Sequence, residues 1–120
     1  MTTAHRIHHE LYKADKIIKD PGDGLTIRVT EDLQICEMVS TTGETRTLAA
    51  PTKPGIRFVL RLLTAGGTVT VTVTGGLNTT LNTVATFAQA SDILSLISVS
   101  ITDTTFRWEI LEGNVGVTLA

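Results

Sequence analysis

Aromatic side chains are scarce in this chain: one Trp, one Tyr and three Phe in 120 residues, 4% of the total. A sugar-stacking platform or a groove for single-stranded nucleic acid needs a row of exposed rings, and so few rings cannot furnish one. There is a single cysteine, Cys36, so no internal disulfide can form. In Leu33-Gln34-Ile35-Cys36-Glu37-Met38-Val39 it reads as a small apolar residue on a strand. A catalytic thiol would need a histidine beside it, and all three histidines stand at the far N-terminus. Charge of one sign is missing too: ten Lys and Arg against twelve Asp and Glu give a net charge of −2. The cations are scattered, which argues against a nucleic-acid-binding domain with its basic stripe. No run approaches the roughly 18 apolar residues of a transmembrane helix. Met1-Thr2-Thr3-Ala4-His5-Arg6 is too polar for a signal peptide, so synthesis in the cytoplasm is the expectation.

What the chain has is β-branched alternation. In Gly66-Gly67-Thr68-Val69-Thr70-Val71-Thr72-Val73-Thr74-Gly75-Gly76 every Val faces one side of a strand and every Thr the other. Such residues favour a pleated surface over a helix. With 42% hydrophobic residues and few rings, the core must come from Val, Leu, Ile and Ala. These bury less area per side chain than rings do, and a thin core of this kind leans on oligomerisation. The length suits one domain.

Residues 2–14 carry the one helical pattern, with Ile7, Leu11 and Ala14 at helical spacing and Thr2 or Thr3 as N-cap; an extended arm fits nearly as well. We therefore divide the chain into an N-terminal arm, 1–20, and a β domain, 21–120. Lys16 to Lys19 reads as a brief strand. In Asp20-Pro21-Gly22-Asp23-Gly24 the Pro-Gly pair suits the centre of a type II turn. From Leu25 onward strands alternate with turns every 8–12 residues or so, the spacing of an all-β fold. The expected fold is a small antiparallel sandwich or barrel-like domain, with Ala65-Gly66-Gly67 as a hairpin turn into the Val/Thr strand and Glu112-Gly113-Asn114 as the last turn. Pro51 and Pro54 keep their segment out of any central strand.

Two strands, 56–63 and 94–101, carry apolar residues on the face that should meet water. Loops over one end of a sandwich and a subunit interface both account for this.

The search for chemistry is nearly empty. His5 and His9 sit one turn apart if the arm is helical, a spacing that can chelate zinc, but His8-His9-Glu10 misses the His-Glu-x-x-His pattern because Lys13 replaces its second His. No Gly-x-Ser-x-Gly elbow is present and the β region has no histidine to serve as base. Asp23, Asp32, Asp92 and Asp103 each fall at a turn, where Asp usually bonds backbone. The glycine pairs bracket a strand instead of joining strand to helix as in a phosphate loop. The reading is of a non-enzyme with no metal and no cofactor.

From Glu44-Thr45-Arg46-Thr47-Leu48 onward the order of segments resembles a known group. Pro51-Thr52-Lys53-Pro54-Gly55-Ile56-Arg57-Phe58 is followed by Thr64-Ala65-Gly66-Gly67-Thr68-Val69-Thr70-Val71-Thr72, then an Asn/Thr loop. Thr86-Phe87-Ala88-Gln89-Ala90-Ser91-Asp92, an apolar strand and Phe106-Arg107-Trp108-Glu109-Ile110 come next. Over about residues 20–118 this is similar to capsid decoration (cement) proteins of tailed bacteriophages and to related β domains of head fibres. The resemblance implies a virion structural protein on the outer capsid surface, a homotrimer that binds the major capsid protein and stabilises capsomer contacts. It implies no catalytic residues and neither nucleic acid nor membrane as partner. The arm lies outside the similar region; His5, Ile7, His8, His9, Leu11 and Tyr12 are our candidates for capsid or inter-subunit contact. The alternative is a head- or tail-fibre domain that binds a host receptor or glycan. A metal-dependent hydrolase built on the histidines is the third reading.

Overall fold

The computed structural model describes residues 16–78 and 82–120, with the side chains of 112 and 113 left aside. Ten strands follow in order: β1 (Ile17–Ile18), β2 (Leu25–Ile27), β3 (Gln34–Ser40), β4 (Glu44–Leu48), β5 (Arg57–Ala65), β6 (Val69–Leu77), β7 (Asn82–Phe87), β8 (Ile93–Ser100), β9 (Phe106–Val115) and β10 (Thr118–Leu119). The domain is all-β, as the turn spacing indicates, and its single sheet curls into a half-barrel along the path β1-β3-β5-β8-β9-β6-β4-β2.

The direction of the strands differs from the antiparallel expectation over half of this path. β1, β3 and β5 are parallel to one another, and so are β2, β4 and β6. The chain winds as three coils, each laying one strand on either wall. Parallel neighbours need a long crossover, and here the crossover from β1 to β3 is β2 itself. A turn between strands of opposite walls is as short as a hairpin turn, so local sequence reads the two alike.

Gly66-Gly67 shows the difference. It is a corner between walls and not a hairpin, because β5 pairs with β3 and β8 while β6 pairs with β4, β7 and β9. This corner lies directly on the corner of the coil before it, with the Gly66 N–H donating to the Ser40 carbonyl at 2.7 Å. A Cβ on Gly66 would come within 2.6 Å of that carbonyl oxygen, and one on Gly67 would run into the Thr42 backbone. The glycines are there because two backbones touch.

Antiparallel strands close the open end: β8 joins β5 to β9, and β7 with β10 extends β6 on its other side. Gly75 and Gly76 do not end the Val/Thr strand. Both take positive φ, 84° and 83°, and the bend they make carries Leu77 across to a single pairing with Trp108 on β9. The last turn falls at Gly116 and not at 112–114, since a shift of register beside Leu94–Leu96 lets β9 run on to Val115.

The core lies between the walls. Val69, Val71 and Val73 point inward with Ile27 and Leu48, and meet Cys36, Met38, Phe58, Leu60 and Leu62 from the opposite wall. Trp108 is fully buried; it lies 6.1 Å from Phe58 between ring centroids and donates its indole N–H to the Ala49 carbonyl at 2.9 Å. Val inward and Thr outward on β6 follows the alternation, with Thr72 and Thr74 exposed.

Candidate interaction surface

The sheet has two outer faces of different chemistry. On the wall of β2, β4, β6, β7 and β10 the register aligns threonines in rows: Thr26, Thr47 and Thr72 in one, Thr45, Thr70, Thr86 and Thr118 in the next. This face is hydroxyl-covered. The opposite wall, β1-β3-β5-β8-β9, is apolar in its middle. Pairing aligns Ile17, Ile35, Val59 and Ser95 across four strands. Ile35 and Val59 are buried there in a second small cluster, apart from the main core, against Leu33, Ile93 and Leu111.

Three ion pairs frame that cluster. Arg57 Nη2 meets Asp32 Oδ2 at 2.7 Å, Arg61 Nη1 meets Glu37 Oε2 at 2.8 Å, and Arg107 Nη2 meets Glu109 Oε2 at 2.8 Å. The hydrogen bond from Arg57 holds the Asp32 carboxyl below its ordinary range despite some desolvation, and the same bond raises the Arg57 guanidinium. Pairs this close to water add little to stability. Their effect here is that each guanidinium is matched by a carboxylate, leaving the frame without net charge.

Around and between these pairs, large apolar side chains meet solvent. Of the six that are well exposed among the described residues, four belong to this wall: Ile17 at 40%, Val39 at 45%, Leu63 at 43% and Val115 at 64%. Val39 lies beside Leu63 where β3 and β5 slip register, and Val115 lies opposite Ile93. An apolar centre within a charge-balanced polar rim is the anatomy of a protein–protein contact.

The arm candidates His5, Ile7, His8, His9, Leu11 and Tyr12 lie outside the described residues. The wall itself was partly legible: the doubly apolar strands 56–63 and 94–101 became β5 and β8. Ile17, Val39 and Val115 were not singled out, because their shared face exists only once β1 stacks on β3 and β9 reaches Val115.

Arg46 was missed as a special residue. Its side chain is fully buried inside the coil, held by Asp20 and Glu44. Three of the four turn aspartates bond backbone, though not always within their own turn: Asp92 accepts the Ala88 and Gln89 N–H groups, Asp23 that of Thr45 and Asp32 that of Arg57. Cys36 is fully buried, and desolvation, with the charge of Asp20 adding to it, pushes its thiol up to about 12. Among the described residues no group of three or more His, Cys, Asp and Glu is gathered as a metal site.

No protein-family model matches this chain, and comparison with curated proteins finds no match either.

Proposed function

We propose that this chain is a virion structural protein, a capsid decoration protein that assembles as a trimer on the outer surface of a phage head and stabilises capsomer contacts. The observation that carries the proposal is the apolar wall: Ile17, Val39, Leu63 and Val115 exposed on one face around the Ile35–Val59 cluster, within charge-balanced ion pairs. The likeness of segment order over residues 20–118 supports the phage assignment. A protein whose task is to hold others together needs a rigid scaffold and an interface repeated by symmetry. Many copies on a lattice make weak single contacts collectively strong.

The alternative, a fibre domain that binds a receptor or glycan, draws on the threonine rows of the other wall. Hydroxyl groups in register can hydrogen-bond a carbohydrate.

The test combines assembly with attachment. Light scattering should give a trimer, and the product should copurify with virions in copy numbers that match the capsid lattice. Leu63→Asp with Val115→Asp places two charges on exposed positions, so the β-sheet circular dichroism of the protomer should be kept while trimer and attachment are lost, and the melting temperature should fall only to that of the isolated protomer. A wild-type monomer that fails to bind capsids would overturn the proposal, and glycan-array binding without capsid attachment would favour the alternative.

A further inference from the structure

A cleft opens where the chain leaves β2 of the first coil and β4 of the second. It holds about 240 Å³ and is lined by Arg28, Val29, Ala50, Pro51 and Ile56 among others, with the indole of Trp108 at its floor. This is smaller than the roughly 300–1,000 Å³ of typical small-molecule sites. Its size and open form suit one or two side chains of a polypeptide laid across it.

Its walls are two stretches of chain that stop pairing with each other. The last rung between them is the Ala49 N–H to the Ile27 carbonyl, at 3.2 Å. Beyond it Arg28-Val29 and Ala50-Pro51 diverge, and the next bonded N–H along the first stretch, that of Thr30, donates to the Gln34 side chain at 3.0 Å. No hydrogen bond among the described residues uses the main chain of Arg28, Val29 or Ala50. Unpaired extended backbone is what a peptide strand adds to, with main-chain bonds giving affinity and side-chain pockets giving selectivity.

Charge decides the kind of peptide. Arg28 is exposed and stands at the cleft with no ion-pair partner among the described residues, whereas Arg46, Arg57, Arg61 and Arg107 are all paired. Lys53, next in the chain to the lining residue Thr52, is exposed and likewise has no ion-pair partner among the described residues. The nearest carboxylates in sequence to Arg28's stretch are engaged elsewhere: Glu31 with Lys16 and Asp32 with Arg57.

From this geometry we infer that the Arg28–Trp108 cleft is a docking site for an extended segment of a partner polypeptide, one that sets a carboxylate against Arg28 and an apolar side chain against Val29 and Ala50, above the buried Ile56 and Trp108. The inference is independent of the apolar wall, which lies on other strands.

Trp108 is the sole tryptophan of the chain, so its indole N–H resonance reports the cleft without ambiguity. The probe is acetyl-Thr-Val-Asp-Val-Thr-amide, compared with its Asn and Lys counterparts in titrations followed by amide NMR. The acidic peptide should shift the Trp108 indole and the Arg28, Val29 and Ala50 amides saturably, and bind about five-fold tighter than the Asn peptide, as one exposed ion pair provides. Arg28→Glu, at an exposed position, should keep the spectrum of the fold and reverse the order in favour of the Lys peptide. No saturable shift up to the solubility limit, an equal response to all three peptides, or an unchanged order in Arg28→Glu would overturn the inference. So would the same shifts appearing on raising the protein concentration without peptide, since the occupant would then be a second copy of this chain.

Discussion

Arg46 and Asp20 are joined inside the protein by a two-pronged ion pair, Nε to Oδ1 at 2.6 Å and Nη2 to Oδ2 at 2.9 Å. Arg46 sits on β4 of the second coil and Asp20 in the corner of the first, so the pair fastens the outermost coil to the body. The Arg46 side chain is wholly buried; that of Asp20 is 16% exposed and that of Glu44, which also meets Arg46, 10% exposed. Nη2 also reaches the Val39 carbonyl, while Nη1 is buried with no hydrogen-bond partner among the described residues. β1 and β2 contribute only two and three residues of strand, too little pairing to hold a coil by itself. The ion pair adds to the attachment that Ile27, Ile18 and Val29 make by packing on the core.

Asp20→Asn should therefore cost more than Arg46→Met. The first leaves a buried guanidinium with Glu44 as its one carboxylate, and orphaned buried charges cost about 3–5 kcal/mol; the low end, about 3 kcal/mol, is expected here. The second removes the buried guanidinium and keeps apolar length in its place, and the two carboxylates it leaves, on Asp20 and Glu44, already touch solvent and can turn toward it, so about 1 kcal/mol is expected. Urea titrations of both variants check the order, and an Arg46→Met protein less stable than Asp20→Asn would refute this account.

Acid should act through the same pair. Burial pushes the Asp20 carboxyl up, but the Arg46 bond, the Val39 and Gly22 N–H groups and the Arg46 charge outweigh it and set the carboxyl below 3.8. A carboxyl depressed in the folded state contributes stability above its unfolded value and loses it as pH falls through the folded one. The wild type should thus weaken as pH drops below about 4, whereas Asp20→Asn should show a shallower loss over the same interval. Melting temperatures between pH 5 and 2 measure this, and parallel curves for the two proteins would place the acid sensitivity elsewhere, for instance at Asp32.

The all-β class was legible because period-two alternation is local, as in Val69 to Val73. Cys36 as core filler was legible for the same reason, whereas the turn expected at Pro21-Gly22 falls two residues later, at Asp23-Gly24, where the Leu25 N–H donates to the Gly22 carbonyl. The parallel winding was not, since a short turn looks the same whether it leads back along a wall or across to the other one. Arg46 stands in a Thr-rich strand where every local cue says surface, and only its meeting with Asp20, 26 positions earlier, reveals the interior. The apolar wall required the bulges beside Val39 and Leu94 to be known. Cross-strand stacking is a property of register, and a single sequence carries register weakly where both faces of a strand are apolar.

Gly67→Ala should be among the most damaging small substitutions in the chain. The added methyl would collide with the Thr42 backbone, which cannot swing aside as a side chain could. A cost of about 3 kcal/mol or more is expected, from backbone displacement at a stacked corner. Gly43→Ala is the control: nothing lies within 4 Å of its Cβ position, so the change should stay within about 1 kcal/mol. Equal stability losses for the two would mean that the corners do not stack in solution.

Cys36 provides a test of the closed coil that needs no mutation. Burial raises its thiol from 9.0 to about 12, so at a given pH below both values the thiolate fraction is about a thousand-fold lower than for an open cysteine. The thiolate is the reactive species. Labelling by a disulfide reagent at pH 8 should accordingly be at least a thousand-fold slower than in the urea-unfolded chain, and should speed up in step with any variant that loosens the first coil, Asp20→Asn above all. Alkaline stability follows with the opposite sign to acid: the unfolded thiol gives up its proton first, so folding stability falls as pH rises from 9 toward 12, by up to about 1.4 kcal/mol per pH unit. Cys36→Ala should remove that alkaline slope. Native labelling within ten-fold of the unfolded rate would show that β3 opens readily, and would contradict the place given to Cys36 between the walls.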